Sequence, residues 1–353
     1  MEMKEFYPSE LDTRLSGRML FRNNVLYILH AAGFMEFEFT GKRIEAEIES
    51  EGGNEETEAW IGIYVDDMKD SYQRVALEKG SKWYLLWSSD TERKIRIRIV
   101  KLSENQYAYT AIKRIRTDKK AVAVKTTKKE KRIEFIGDSL TCGYGNEGNV
   151  GDDFLTKTEN PLKAYAVLTA QKLDCDFTLV AWSGIGVISS WVEPTCEEPN
   201  TGVLAPLIYP YVDYHLFSRM RWGTKEYYTY EEDDCDLIVV NLGTNDASYT
   251  REHSDRKQAF QEGYVKFLRY LRQTHAKQPI ICTAGAALDL LNIEIKEAVR
   301  RVQIEDKDLK IYYMQFSPQS AEDGEGAVGH PSLLRHEKMA CQLADWIRKN
   351  VVF

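Results

Sequence analysis

The sequence predicts two folds in succession. An all-β sandwich of jelly-roll type spans residues 1–125, and an α/β domain with a helix-flanked parallel sheet spans 126–353. Three observations carry this. A chain of 353 residues is longer than one typical hydrophobic core supports. Its first third holds closely spaced strand-like runs with no amphipathic helix between them. From residue 132 onward, short apolar runs alternate with helical stretches, the pattern of a parallel sheet covered on both faces.

Composition narrows the partners. Hydrophobic residues make up 43% and charged residues 29%, as in soluble globular proteins. A net charge of −8 argues against nucleic acid or an anionic membrane surface. The start, MEMKEFYPSELDTRLSGR, lacks the apolar segment of a signal peptide, and there is no run of about 18 apolar residues. The six cysteines, at 142, 175, 196, 235, 282 and 341, form no CxxC pair and read as free thiols, so a reducing cytoplasm is expected. The 20 tyrosines and 7 tryptophans suit sugar-stacking surfaces, and a large core uses the same residues.

In the first domain, residues 24–31, 33–41, 43–49 and 58–67 alternate apolar and polar side chains. Residues 82–87 form a denser apolar run. In 94–100, Ile95, Ile97 and Ile99 face inward while Lys94, Arg96 and Arg98 face water. Residues 107–115 close the series. His30 sits in a strand and reads as a packed histidine. The lysine-rich stretch 119–131 is either a linker or an edge strand.

In the second domain, strand 133–136 is followed by a helix signalled by Asn160-Pro161, with Leu162, Ala166 and Leu173 on one face. Strands follow at 176–182, 236–243, 279–284 and 310–316. Between them lie a Tyr-rich segment (192–234), a helix at 254–275 and another at about 290–304. A last helix after Pro331 is predicted to bury Leu333, Leu334, Met339, Leu343 and Trp346.

The run Ile133–Gly145 places Ser139 just past a buried strand, in a glycine-rich turn, where open α/β sheets bind ligands. Three more loops fall at predicted strand ends or before the last helix: Ser183-Gly184-Ile185-Gly186, Gly243-Thr244-Asn245-Asp246 and Gly329-His330-Pro331-Ser332. With Gly137-Asp138-Ser139-Leu140, this ordered set resembles the four blocks of the SGNH (GDSL) hydrolase superfamily. The β-rich region from about Leu15-Ser16-Gly17-Arg18 extends the resemblance to carbohydrate esterase family 2, in which a jelly roll precedes an SGNH domain.

The resemblance implies an ester hydrolase in which Ser139 is the nucleophile and His330 the base. It also implies an oxyanion hole made by the amides of Ser139 and Gly184 and the side chain of Asn245. The GxSxG elbow of α/β-hydrolases is absent. Asp138 reads as an organiser of the turn. His336 is predicted at the surface, His253 in a solvated loop, and His215 and His275 have no motif. Asp152-Asp153 and Asp233-Asp234 read as solvated loops, since no His or Cys stands at ligand spacing, so no metal is expected.

Two departures stand out. The Asp expected three residues before the base is Ala327, which implies a Ser–His dyad oriented by a backbone carbonyl. The loop after the fourth strand, CTAGAALDLLN, has no aromatic, so Trp191 and then Trp182 become the candidates to stack on a sugar, with Trp222 a further possibility. The implied activity is a cofactor-independent O-acetyl esterase on acetylated xylo- or manno-oligosaccharides, with a homo-oligomer left open. A general short-acyl esterase or lysophospholipase of the same superfamily, and a carbohydrate-binding protein with an inactive hydrolase domain, are the rival readings.

Overall fold

The computed structural model describes residues 2–68, 70–229, 235–285 and 290–353. The chain forms two units, one of residues 1–129 with 154–160, the other of 130–153 with 161–353.

The first unit is all β apart from short turns. Its strands are β1 (Met3–Phe6), β2 (Arg14–Ser16), β3 (Met19–Arg22), β4 (Val25–Ile28), β5 (Phe34–Ser50), β6 (Trp60–Val65), β7 (Gln73–Ala76), β8 (Gly80–Lys101), β9 (Thr110–Asp118) and β10 (Val122–Lys125). They make one ten-stranded antiparallel sheet. Runs that look separate in the sequence fuse here: 33–41 with 43–49 in β5, and 82–87 with 94–100 in β8. Register shifts at Gly41/Arg43 and Ile44/Glu45 bend the long pair. The first half of β5 therefore pairs with β2 and β10, and its second half with β9. One sheet can thus fold over a single core containing Phe37, Phe39, Ile48, Ile97 and Ile99. Within the 119–131 stretch, Val122–Lys125 is a paired strand. The arginine face of β8 is only partly solvated. Arg98 donates to the buried Glu36 at 2.5 Å and lies over the Phe34 ring at 4.6 Å.

Residues 154–160 belong to this unit although they follow the first strand of the other. The Thr156 amide and hydroxyl both donate to the Glu55 carbonyl at 3.0 Å. Arg74 donates to the Lys157 carbonyl at 2.8 Å, and the Phe154 ring packs on Tyr107. Within this segment Glu159 is fully buried, and burial, with the Glu104 charge adding to it, pushes its carboxyl well above the usual range.

The second unit runs β11 (Arg132–Gly137), α1 (Ser139–Cys142), α2 (Tyr165–Lys172), β12 (Asp176–Ala181), α3 (Ala205–Ile208), α4 (Leu216–Arg219), β13 (Leu237–Asn241), α5 (Thr244–Thr250), α6 (Ser254–Thr274), β14 (Ile280–Ala284), α7 (Asn292–Glu305), β15 (Ile311–Gln315) and α8 (Leu333–Asn350). The five strands are parallel in the order β12-β11-β13-β14-β15. The order reverses at β11, so the loops after β11, β12 and β13 converge at a topological switch point.

Two helices differ from expectation. Asn160-Pro161 opens a single 3₁₀ turn, Pro161–Lys163, and α2 begins only at Tyr165. Its buried face is Tyr165, Ala166, Thr169 and Ala170, while Leu162 and Leu173 are half-buried. In α8 the Ser332 side chain caps the helix by accepting the Arg335 amide. That start sets a phase in which His336, Met339, Leu343 and Ile347 face inward, while Leu333 and Leu334 are exposed.

Candidate active site

Ser139 is brought to the end of β11 by local turn chemistry. Gly137 leaves no room for a side chain, because a Cβ there would lie 2.0 Å from the Thr141 hydroxyl. Asp138 caps α1, its Oδ1 accepting the Leu140 amide at 3.1 Å. The Ser139 amide, first in the helix, has no carbonyl within the helix to receive it. Asp138 therefore organises the turn.

His330 approaches from the loop between β15 and α8. Its Nε2 lies 2.9 Å from Ser139 Oγ, and its Nδ1 lies 3.2 Å from the Val328 carbonyl. A carbonyl only accepts, so Nδ1 carries the proton and Nε2 is left to accept from the serine hydroxyl. The loop is held tightly. The Gly326 amide donates to the His330 carbonyl at 2.7 Å, and the Ala327 amide to the Gly145 carbonyl at 2.9 Å. Val328 itself sits at φ 53°, a left-handed conformation that costs a β-branched residue about 1–2 kcal/mol. Burial lowers the imidazole pKa of His330 below its ordinary 6.5, against the opposing pull of the Val328 and Ala327 carbonyls.

The two acids nearest in sequence do not serve the imidazole. Asp323 is buried and held by Lys338 and by the Ser320 amide at 2.9 Å, which pull its carboxyl down to about 2. Glu325 is exposed on the wall of the cleft.

Asn245, at the start of α5, joins Ser139 and His330 in one open cleft of about 550 Å³. Its Nδ2 donates to the Ile185 carbonyl at 2.8 Å and to Asp138 Oδ2 at 3.2 Å. Gly184 lies in the loop after β12 at φ 83°, and a Cβ there would meet no protein atom within 4 Å. The protein itself asks for glycine through the backbone angle; crowding would come only from a bound group. The following residues are gathered by Asp246, which sequence reasoning passed over although it adjoins Asn245. Its buried carboxylate accepts the amides of Val187, Ile188 and Ser189 at 2.7–3.0 Å. Burial pushes that carboxyl up to about 6 while the amides hold it down. Gly186 makes this possible, since a Cβ would stand 2.5 Å from an Asp246 oxygen.

The aromatic candidates separate cleanly. Trp191 is 51% exposed and lines the cleft. Trp182 is 1% exposed and stacks on His215 in the core at 5.0 Å, so it cannot serve as a platform. Trp222 packs edge-on against Phe217 at 5.5 Å. His336, expected at the surface, is buried, and its Nδ1 accepts the Tyr165 amide at 3.1 Å. His275 is also buried, with its Nε2 2.8 Å from the Tyr209 hydroxyl. Asp152 accepts the Asn149 amide at 2.8 Å in a simple turn. Asp233-Asp234, and residues 286–289 of the aromatic-free loop after β14, lie outside the described residues.

Residues 133–343 match the GDSL-like Lipase/Acylhydrolase family, and residues 15–126 match the Carbohydrate esterase 2 N-terminal family. The chain is 33% identical over 229 residues to a cellulase/esterase, CelE, of Acetivibrio thermocellus, covering 63% of this chain but only 26% of that one. It is 26% identical over 310 residues to an acetylxylan esterase / glucomannan deacetylase of Cellvibrio japonicus, covering 88% and 80% of the two chains. A family two carbohydrate esterase from Clostridium thermocellum, solved in complex with cellohexaose, superimposes with a TM-score of 0.83 at 26% identity, over 96% of this chain and 98% of that one.

Proposed function

Because the chain belongs to the GDSL-like lipase/acylhydrolase family and carries a carbohydrate esterase 2 N-terminal region, we propose that it is an O-acetyl esterase acting on acetylated xylo- or manno-oligosaccharides. The observation that carries this reading is the 2.9 Å contact between Ser139 Oγ and His330 Nε2 in an open cleft rimmed by Trp191.

In the proposed reaction, His330 Nε2 takes the Ser139 proton as Oγ attacks the acetyl carbon. The imidazolium is then held through Nδ1–H by the Val328 carbonyl. Negative charge on the acyl oxygen is met by the Ser139 amide, the Gly184 amide and Asn245 Nδ2. One Asn245 hydrogen is fixed on Ile185; the other, on its longer bond to Asp138, is the one available to that oxygen. The ester C–O bond breaks as the proton passes from Nε2 to the sugar oxygen, leaving an acetylated Ser139. Water then attacks with His330 again as base, and acetate leaves. Trp191 offers a face on which a sugar ring can stack.

Acetate release from a panel of acetylated oligosaccharides tests this, with regiochemistry followed by NMR and Ser139→Ala as control. Release by the wild type and none by the variant is expected. Glycan binding without acetate release would replace it with the carbohydrate-binding reading. Faster cleavage of longer-chain than of acetyl p-nitrophenyl esters would favour the general esterase or lysophospholipase.

A further inference from the structure

Among the described residues no carboxylate reaches His330 Nδ1, which donates at 3.2 Å to the Val328 carbonyl, only two residues away, with the Ala327 carbonyl also drawing on it. Bonding on that side defines a direction but leaves the ring free to swing about it. A second contact removes that freedom. The Tyr144 ring lies against the imidazole with centroids 4.5 Å apart and planes inclined by 40°. Tyr144 stands at the exit of α1, just after Gly143 at φ 78°, so the same turn that presents Ser139 presents Tyr144.

The two loops are also locked together by close backbone approach. A Cβ on Gly145 or on Gly148 would come within 2.9 Å of the Ala327 Cβ, and one on Gly326 within 2.4 Å of the Gly145 carbonyl. The Val328 amide donates to the Asp152 carbonyl at 3.1 Å. Ala327, at the sequence position three residues before His330, is thus packed against the Gly145–Gly148 turn.

The geometry points to Tyr144 as a positioning residue for His330, its ring covering one side of the imidazole and holding Nε2 on Ser139 in place of a triad acid. The inference rests on the esterase reading for its kinetic consequence, but its structural content can be read without any activity.

The ring also shields the imidazole from water, so removing it has a signature that lost packing elsewhere would not produce. Burial is what lowers the His330 pKa. Among the described residues, the ionisable groups on the elements packed around it are Glu325 on the cleft wall, Asp323 paired with Lys338, Arg335 and His336 buried on α8, Asp152 held by Asn149, and Asp138 and Cys142 at the two ends of α1. None of these is itself substituted in a Tyr144 variant.

The test compares Tyr144→Phe, Tyr144→Leu and Tyr144→Ala. The His330 imidazole is titrated by NMR, with its signal assigned by its loss in His330→Asn. In Tyr144→Ala the pKa should rise toward 6.5, and kcat/KM on an acetyl ester should fall about tenfold to a hundredfold, mostly in kcat. Tyr144→Phe keeps the ring and should titrate and turn over like the wild type. Tyr144→Leu fills the space if the alanine variant folds poorly, and should lower kcat through loss of the flat face. An unchanged pKa and kcat in folded Tyr144→Ala and Tyr144→Leu would overturn the inference, as would a Tyr144→Phe variant as impaired as the alanine one. A wild type without esterase activity would instead defeat the functional reading, and the titration would still decide the role of Tyr144.

Discussion

The carbonyl of Val328 accepts the Nδ1–H of His330 from only two residues upstream, within the same short turn. The turn reaches this geometry by placing Val328 in the left-handed region, where valine is rare. Strain of this kind persists only where surrounding contacts over-determine it, and here they do so beside the candidate base.

Neither acid near His330 should then act as a third triad member. Glu325→Gln should cost less than tenfold in kcat/KM, about 1.4 kcal/mol. Asp323→Asn should do the same in kcat/KM while lowering stability, since the buried carboxylate holds Lys338 and the Ser320 amide. A loss near 10⁴ in either variant, as when a triad carboxylate is neutralised, would put that acid behind the imidazole.

Asn245→Ala should lower kcat by about 10²–10³, the usual cost of one oxyanion donor. KM should change less, because the bond strengthens as charge develops in the transition state. An effect confined to KM would assign Asn245 to substrate holding instead.

The buried His336 should set part of the acid stability. Its pKa falls from 6.5 to about 3, chiefly through burial, so the native state stays unprotonated while the unfolded chain takes up a proton. Stability is therefore full above 6.5 and is lost as pH falls from 6.5 toward 3, at about tenfold in the folding constant per pH unit. Unfolding of His336→Gln, followed by denaturant at pH 7 and pH 5, should show a lower stability at pH 7 and a flatter decline. Parallel curves for the two proteins would show that His336 does not contribute to the slope.

Glu159 should act in the opposite sense. Its folded pKa is raised above 4.5 by burial, so its contribution is fully present below 4.5 and is lost as pH rises toward the folded value. Burial and the Glu104 charge outweigh the Lys101 and Arg74 charges that favour the carboxylate, so ionising Glu159 inside the fold is costly. Glu159→Gln should raise Tm at pH 8 more than at pH 5. An equal or larger gain at pH 5 would exclude the carboxyl charge as the cause.

Much of this molecule is written in local pattern. Period-two alternation marked the strands of the first unit, and short apolar runs between helices marked the parallel sheet. The turns carrying Ser139, Gly184, Asn245 and His330 were legible because glycine, proline and capping residues act on their own few neighbours. Long-range packing decided the rest. Trp182 and Trp191 flank the same loop, yet one is in the core and the other on the cleft, because the end of β12 turns only one of them inward. The capping residue Ser332 sets the phase of α8, and with it the burial of His336 and the exposure of Leu333. The fusion of separate runs into β5 and β8, and the return of residues 154–160 to the first unit, depend on partners far along the chain. What stands behind His330 was settled the same way: Ala327 packs on the Gly145–Gly148 turn and carries no carboxyl, and the imidazole is met by the Val328 carbonyl on one side and by Tyr144 on another.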